Sequence, residues 1–200
     1  TLVIGAPYDN HSNIITNSGA AYVFIKNGSL WTQQQKITAS DQSSNADFGW
    51  AVKIYRDTIV VSARRMNYQG SASEGAVYIF SRNGGVWTEE QKLIASDHDD
   101  FDYFGQSLSL FVNTIVVGAP GNDDGGSSSG SAYIFKKDSS TSLWSEQQKI
   151  TANDVVASDS FGSAVGVYGD TAMVWSRNDD DNGYLSGSVY RCEEENSYWS

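Results

Sequence analysis

Four short sequence blocks return in a fixed order along this chain, and this repetition limits its fold more than any other feature. A Phe-Gly pair recurs at Phe48, Phe104 and Phe161, with spacings of 56 and 57 residues. Segments that begin with threonine, such as TLVIGAP and TIVVGAP, recur with the same spacing. The other two blocks read SGAAYVF and WTQQQKITASD in their first copies. The repeats therefore start near these three phenylalanines.

Each block has the length and the composition of a β-strand. Residues 48–54 alternate large apolar side chains with small or polar ones, which is the period of two expected for a strand. Asn27-Gly28 and Asn83-Gly84 join the third block to the fourth, and Asn-Gly is a strong signal for a hairpin turn. No long segment has a helical period. The blocks thus predict an antiparallel meander of four strands.

A four-stranded meander repeated without helices predicts an all-β fold, namely a β-propeller of four-stranded antiparallel blades. A β-solenoid is the competing architecture, but its coils are typically shorter and lack the repeated hairpin turn. Counting the blocks gives 14 strands in the 200 residues, or about three and a half blades, with incomplete first and last repeats. We therefore expect residues 1–200 to be part of one longer propeller.

The Phe-Gly pair followed by a strand ending in Gly-Ala-Pro resembles the FG-GAP repeat of the N-terminal propeller of integrin α-subunits. The blocks GSAYIF and WSEQQKITA are even more similar to those of FG-GAP proteins from bacteria and algae. The resemblance covers essentially the whole chain and implies a propeller used in adhesion or recognition. Two copies differ, because Arg64 and Arg177 replace the proline. We expect this change to weaken the turn and alter these loops.

The integrin pattern includes a calcium loop between the first two strands, and the resemblance does not extend to it. The corresponding connection Tyr55-Arg56-Asp57 has one carboxylate, whereas calcium takes six to eight oxygen ligands. Folding is therefore expected to require no cofactor. The other acidic loops are candidates for weak calcium binding, but most of their aspartates are better interpreted as turn residues. The metal candidates are Asp123, Asp124, Asp179 and Asp181.

Loops between the second and third strands lie at the same end of the meander as loops that lead to the next blade. Both sets are long and rich in aspartate, including Asp41, Asp97 and Asp154. Tyrosines occur in the variable loops rather than at repeated positions, and exposed aromatic residues on a rigid scaffold are common contact hot spots. The partner-binding candidates are Tyr8, Tyr68, Asp123, Asp124, Asp179 and Tyr184.

The tryptophans Trp31, Trp87, Trp144 and Trp199 repeat with the blades. This regularity favours structural packing of the outer strand over a row of rings that stack on carbohydrate. Cys192 stands where the sister repeats have phenylalanine, so we interpret it as a small apolar residue.

The chain has a formal net charge of −11, which disfavours binding to nucleic acid and to anionic membranes. No stretch approaches the roughly 18 consecutive apolar residues of a membrane span, so direct membrane insertion is not expected. The segment TLVIGAP has no basic leader, which places any secretion signal outside this sequence. Two N-glycosylation sequons, at Asn10 and Asn27, suit an extracellular or cell-surface protein.

The sequence offers little for catalysis, since His11 and His98 are the only histidines and lie in different repeats. No carboxylate pair is marked out for glycoside cleavage. We therefore expect a protein that is not an enzyme. The leading interpretation is an extracellular recognition or adhesion module that binds protein or glycan partners. The alternatives are a self-assembling structural subunit of a wall, sheath or filament, and an accessory propeller of a larger enzyme.

Overall fold

The computed structural model describes residues 1–67, 72–181 and 183–200, in which 15 strands form four antiparallel sheets. Each sheet is a meander of consecutive strands, which we call a blade. Blade 1 contains β1 (Leu2–Ala6), β2 (Ala20–Asn27) and β3 (Leu30–Ile37). Blade 2 contains β4 (Phe48–Tyr55), β5 (Thr58–Ala63), β6 (Ala76–Asn83) and β7 (Val86–Leu93). Blade 3 contains β8 (Ser107–Phe111), β9 (Thr114–Ala119), β10 (Ser131–Lys137) and β11 (Trp144–Ile150), and blade 4 contains β12 (Phe161–Tyr168), β13 (Thr171–Ser176), β14 (Ser188–Glu195) and β15 (Tyr198–Trp199).

The all-β fold with propeller-like, four-stranded antiparallel blades is confirmed. The expected number of 14 strands was one too low for the described residues. The two-residue strand β15 pairs with Glu194 and Glu195 of β14, so the last blade has its fourth strand. No described segment is a helix long and apolar enough to cross a membrane.

The Phe-Gly pair joins the start of blades 2, 3 and 4 to the blade before each of them. Phe48 is 1 % exposed, and its amide donates at 3.1 Å to the carbonyl oxygen of Ser18 in the loop between β1 and β2 of blade 1. Gly49 has a φ of +92°, and a Cβ there would lie 2.3 Å from the carbonyl oxygen of Ala20. Only glycine fits such a backbone conformation and approach without strain. The equivalent amide bonds join Phe104 to Glu74 and Phe161 to Ser129.

The core consists of three apolar clusters, one between each adjacent pair of blades. Strand β5 contributes to two of them, since Ile59 and Val61 face blade 1 whereas Val60 faces blade 3. Both faces of this strand are therefore buried, which explains why its sequence is continuously apolar. Cys192 is buried in the third cluster. Strand β8 packs against β4 of blade 2 and against β12 of blade 4.

Glutamine side chains connect the outer strands of adjacent blades. The Nε2 of Gln35 in β3 donates to the carbonyl oxygen of Trp87 in β7 at 2.7 Å, and its Oε1 accepts from the Trp87 amide at 2.8 Å. The same pair of bonds joins Gln91 to Trp144 and Gln148 to Trp199. We call this arrangement the Gln–Trp clamp. The clamped tryptophans are buried, whereas Trp31 is 49 % exposed.

Candidate functional site

The long loops lie at one end of the blades, which we call the long-loop rim. Its described parts are the residues 7–19, 64–67, 72–75, 120–130, 177–181 and 183–187 within blades, and 38–47, 94–106 and 151–160 between blades. The opposite end has mostly short turns, such as 56–57, 84–85 and 112–113. Loops of different length on packed sheets make the long-loop rim the end best suited to recognise a partner.

Two of the three tyrosines predicted to contact a partner are well exposed on this rim. Tyr8 is 63 % exposed and Tyr184 is 90 % exposed. The third, Tyr68, lies outside the described residues. The sequon residues Asn10 and Asn27 are both exposed, the first on the long-loop rim and the second at a hairpin on the opposite end.

Several rim aspartates bond to side chains of the protein itself. Asp41 accepts from the Tyr78 hydroxyl and from the Lys92 ammonium, each at 2.7 Å. In the next repeat Asp97 accepts from Tyr133 at 2.8 Å and from Lys149 at 2.5 Å. Asp41 and Asp97 come from the loop before the blade that supplies their partners, so the bonds hold this loop in place.

A similar set of bonds occurs in blade 1, although its aspartate comes from the loop between β1 and β2. Asp9 accepts from the Tyr22 hydroxyl, and it accepts from Lys36 at 2.9 Å. The hydrogen bond from Tyr22, followed by that from Lys36, lowers the pKa of Asp9. The carboxylate form is thus the one that these partners stabilise.

The four predicted metal ligands have different surroundings. Asp123 is exposed and accepts from the amide of Ser128 at 2.7 Å, and Asp124 pairs with Lys149. Asp179 is 3 % exposed and accepts from the Tyr190 hydroxyl at 2.6 Å. Its charge raises the pKa of the exposed Asp181.

Among the described residues, no group of three or more His, Cys, Asp or Glu side chains is arranged to hold a metal ion. The two histidines lie in loops of different blades, and His98 Nδ1 lies 2.8 Å from the buried carboxylate of Glu74.

A cleft of about 920 Å³ opens on the long-loop rim between blades 2, 3 and 4. Three arginines, Arg64, Arg65 and Arg177, contribute to its lining, and none of its described lining residues is acidic. This is unusual in a chain with 24 Asp and Glu but only 13 Lys and Arg. We call it the arginine cleft. Its other polar lining residues include Tyr103, Gln106, Ser128, Ser160, Ser163 and Ser188.

Arg64 is fixed in place by contacts on several sides. Its guanidinium carbon lies 3.2 Å from the centroid of the Trp50 ring, and its Nε donates to Asp47 Oδ2 at 3.2 Å. Its Nη1 donates to Gln106 Oε1 at 2.9 Å. A guanidinium has five N–H donors, so three remain free of these bonds. Arg65 is half-exposed, and its Nε lies 3.7 Å from the same Asp47 carboxylate.

The turn that arginine was expected to weaken still forms in the Arg64 loop. The Met66 amide donates to the carbonyl oxygen of Ala63 at 2.9 Å, and the proline-containing loop has the equivalent bond from Asn122 to Ala119 at 3.2 Å. The turn therefore forms with either residue, and the requirements of the backbone do not explain the arginine.

Sequence reasoning identified the arginines only as departures from a repeat pattern. Arg64 and Arg177 are 113 positions apart, and nothing within one repeat indicates that their loops border a single cleft. The signal that could have found them is positional, because both occupy the proline site of a turn at the same end of their blades. The Gln–Trp clamp was missed for a similar reason, since its partners belong to different repeats.

Comparison with known proteins agrees with this architecture. No curated protein sequence matches the chain. The family model described as the FG-GAP repeat matches residues 31–80, 87–135 and 144–191, which is most of the chain. Each matched segment runs from the outer strand of one blade to the third strand of the next. The repeated Phe-Gly contacts and the three successive matches together show that the chain belongs to the FG-GAP repeat family.

Proposed function

We propose that this chain is an extracellular recognition module, rather than an enzyme, which binds protein or glycan partners through its long-loop rim. The observation that carries the proposal is the combination, at one end of regular blades, of exposed tyrosines with the arginine cleft. FG-GAP repeats are typical of extracellular proteins and occur in propellers used for adhesion or recognition. The exposed sequon residues Asn10 and Asn27 are consistent with that location.

The test compares tyrosines at the two ends of the blades. Tyr8→Ser combined with Tyr184→Ser removes two exposed rings from the long-loop rim, whereas Tyr198→Ser removes a 63 % exposed ring near the opposite end. Binding of the protein to a glycan array and to a panel of extracellular matrix proteins gives the readout. We expect the rim variant to bind its best partner at least fivefold more weakly, with an unchanged melting temperature.

Two results would count against this function. One is the absence of any partner on both the array and the panel. The other is an equal loss of binding in the Tyr198→Ser control, because the contact would then not be specific to the long-loop rim.

A second candidate function is a self-assembling structural subunit, in which the apolar surface of the two outermost blades would be covered by another copy of the chain rather than by further blades of a longer propeller. Ile4 is 47 % exposed on blade 1, and Trp175 and Val189 are 38 % and 48 % exposed on blade 4. Val77, which occupies the position of Val189 in blade 2, is fully buried against blade 3. Sedimentation of the protein across a range of concentrations tests this candidate, and a constant monomer mass would exclude it.

A further inference from the structure

The electrostatics of the arginine cleft differ from those of the rest of this acidic protein. Asp47 is the carboxylate that pairs with Arg64 and Arg65, and it is 2 % exposed beneath them. The third arginine, Arg177, is exposed, and its side chain makes no ion pair or hydrogen bond within residues 1–67, 72–181 and 183–200. The cleft therefore has three guanidinium groups, and the one carboxylate paired with them is that of Asp47, which leaves an excess of positive charge at the cleft.

The arginines also present hydrogen-bond donors to the cleft. Stacking on Trp50 and the bond to Gln106 hold Arg64, so little conformational entropy is lost when its free N–H groups bind a ligand. A guanidinium matches a carboxylate in two parallel hydrogen bonds. The bonds to Asp47 and Gln106 occupy two of the five N–H groups of Arg64, so three are left for such a ligand.

The other polar residues of the cleft indicate which class of molecule would bring a carboxylate to the arginines. Six serines line the cleft, together with the side chains of Gln106 and Tyr103. Hydroxyl and amide groups of this kind pair with the hydroxyls of sugars, and a tyrosine ring offers an apolar face for a pyranose. The volume of about 920 Å³ lies at the upper end of the range of ligand sites, roughly 300–1,000 Å³. The serines are Ser128, Ser160, Ser163, Ser176, Ser186 and Ser188.

We propose that the arginine cleft binds the carboxylates of an acidic polysaccharide, that is, a chain of uronate sugars. This inference rests on the proposed recognition function and names the ligand class of the same rim. An acidic peptide would offer the same carboxylates. The hydroxyls of Ser163, Ser176 and Ser186 already donate to backbone carbonyl oxygens, so towards a ligand they act as acceptors. This favours the sugar, because sugar hydroxyls can donate to them whereas the side-chain carboxylates of an acidic peptide cannot.

The test is calorimetric titration of the protein with a galacturonate decamer, its methyl ester and a glutamate decapeptide. We expect the galacturonate decamer to bind at least tenfold more tightly than the methyl ester, which has lost its charges, and than the peptide. Arg177→Gln should weaken binding at least tenfold without altering the melting temperature, because this side chain has no partner in the described fold. Arg191→Gln is the matched control, since it removes one arginine charge at a 65 % exposed side chain that does not line the cleft.

Each contrary outcome overturns a defined part of the inference. Equal binding of the methyl ester excludes carboxylate recognition, and equal or tighter binding of the peptide excludes a polysaccharide as the ligand. An equal loss in Arg177→Gln and Arg191→Gln shows general charge attraction rather than a site. If none of the three probes binds while the rim tyrosine variants still lose a partner, this inference fails and the recognition function stands.

Discussion

Glycine follows each repeated phenylalanine because the neighbouring backbone occupies the space of a side chain. We expect Gly49→Ala to lower the free energy of unfolding by at least about 2 kcal/mol, since its Cβ would meet the carbonyl of Ala20 in addition to the strain of a positive φ. Gly84→Ala is the control, because its φ is +58° and nothing lies within 4 Å. That variant should lose about 1 kcal/mol. Urea denaturation compares them, and equal losses would contradict the close-approach explanation.

The buried carboxyl of Asp102 should make stability depend on pH. This side chain is 2 % exposed, and burial raises its pKa to about 6 from 3.8. Between these two values the folded protein retains a proton that the unfolded chain has lost, so stability falls as pH rises from 4 to 6. We expect Asp102→Asn to flatten this slope and to raise the free energy of unfolding at pH 7 by about 2 kcal/mol.

The matched control for this effect is Asp97→Asn. Asp97 is bonded to Tyr133 and Lys149, and these bonds outweigh burial and lower its pKa. The same substitution should therefore destabilise the protein at pH 7 and have less effect below the ordinary carboxyl pKa. Denaturation at pH 4 and pH 7 measures both variants. A destabilised Asp102→Asn protein at pH 7 would mean that the proton is not the source of the pH dependence.

At the scale of the strand, the Gln–Trp clamp provides a direct test of how adjacent blades are joined. Gln35→Ala in β3 removes both bonds to the backbone of Trp87 and leaves these groups without partners at a buried edge. We expect a loss of about 2 kcal/mol in the free energy of unfolding. Thermal and urea denaturation monitored by tryptophan fluorescence give the measurement.

The control for the clamp lies two residues earlier in the same strand. Gln33 is exposed, so Gln33→Ala should change stability by less than about 0.5 kcal/mol. If both variants lose the same amount, the intrinsic preference of the strand rather than the clamp would account for the effect.

The strands themselves were predictable because each one repeats in sequence and has the alternation or apolar run that its burial requires. Strand β15 was not counted, although Trp199 repeats with the tryptophans of the other outer strands, because two residues are too short to show an alternation. The Gln–Trp clamp could not be predicted from the sequence either. Gln35 and Trp87 are 52 positions apart, and neither residue type signals a side chain that bonds to an edge backbone.

At the scale of the molecule, stability should not depend on calcium. The carboxylates that a calcium ion would need are already neutralised or bonded, as shown by Asp97 with Lys149 and Asp179 with Tyr190. We expect a chelator to change the melting temperature by less than about 2 °C. Calorimetry with and without millimolar calcium measures this. A shift of about 10 °C or more would mean that the acidic loops bind the ion tightly enough to contribute to folding.

The candidate site was less predictable than the fold because its parts converge from three blades. The exposure of Tyr8 and Tyr184 follows from their place in variable loops. In contrast, Asp179 lies in a loop that is as rich in aspartate as the loop of Asp123, but its side chain is buried against Tyr190. Burial of a loop residue depends on which neighbouring loop covers it, and the sequence of one repeat does not contain that information.

The identical joints between blades have a mechanical consequence. Each interface is held by a Phe-Gly contact at the inner strand and by a Gln–Trp clamp at the outer strand, so a pull on the two ends of the chain loads these joints in series. Under tension the weakest joint opens first and the others remain closed. If the blade next to the open joint then unfolds, its 56 residues extend to about 190 Å. Such stepwise opening absorbs mechanical energy and keeps the remaining blades folded.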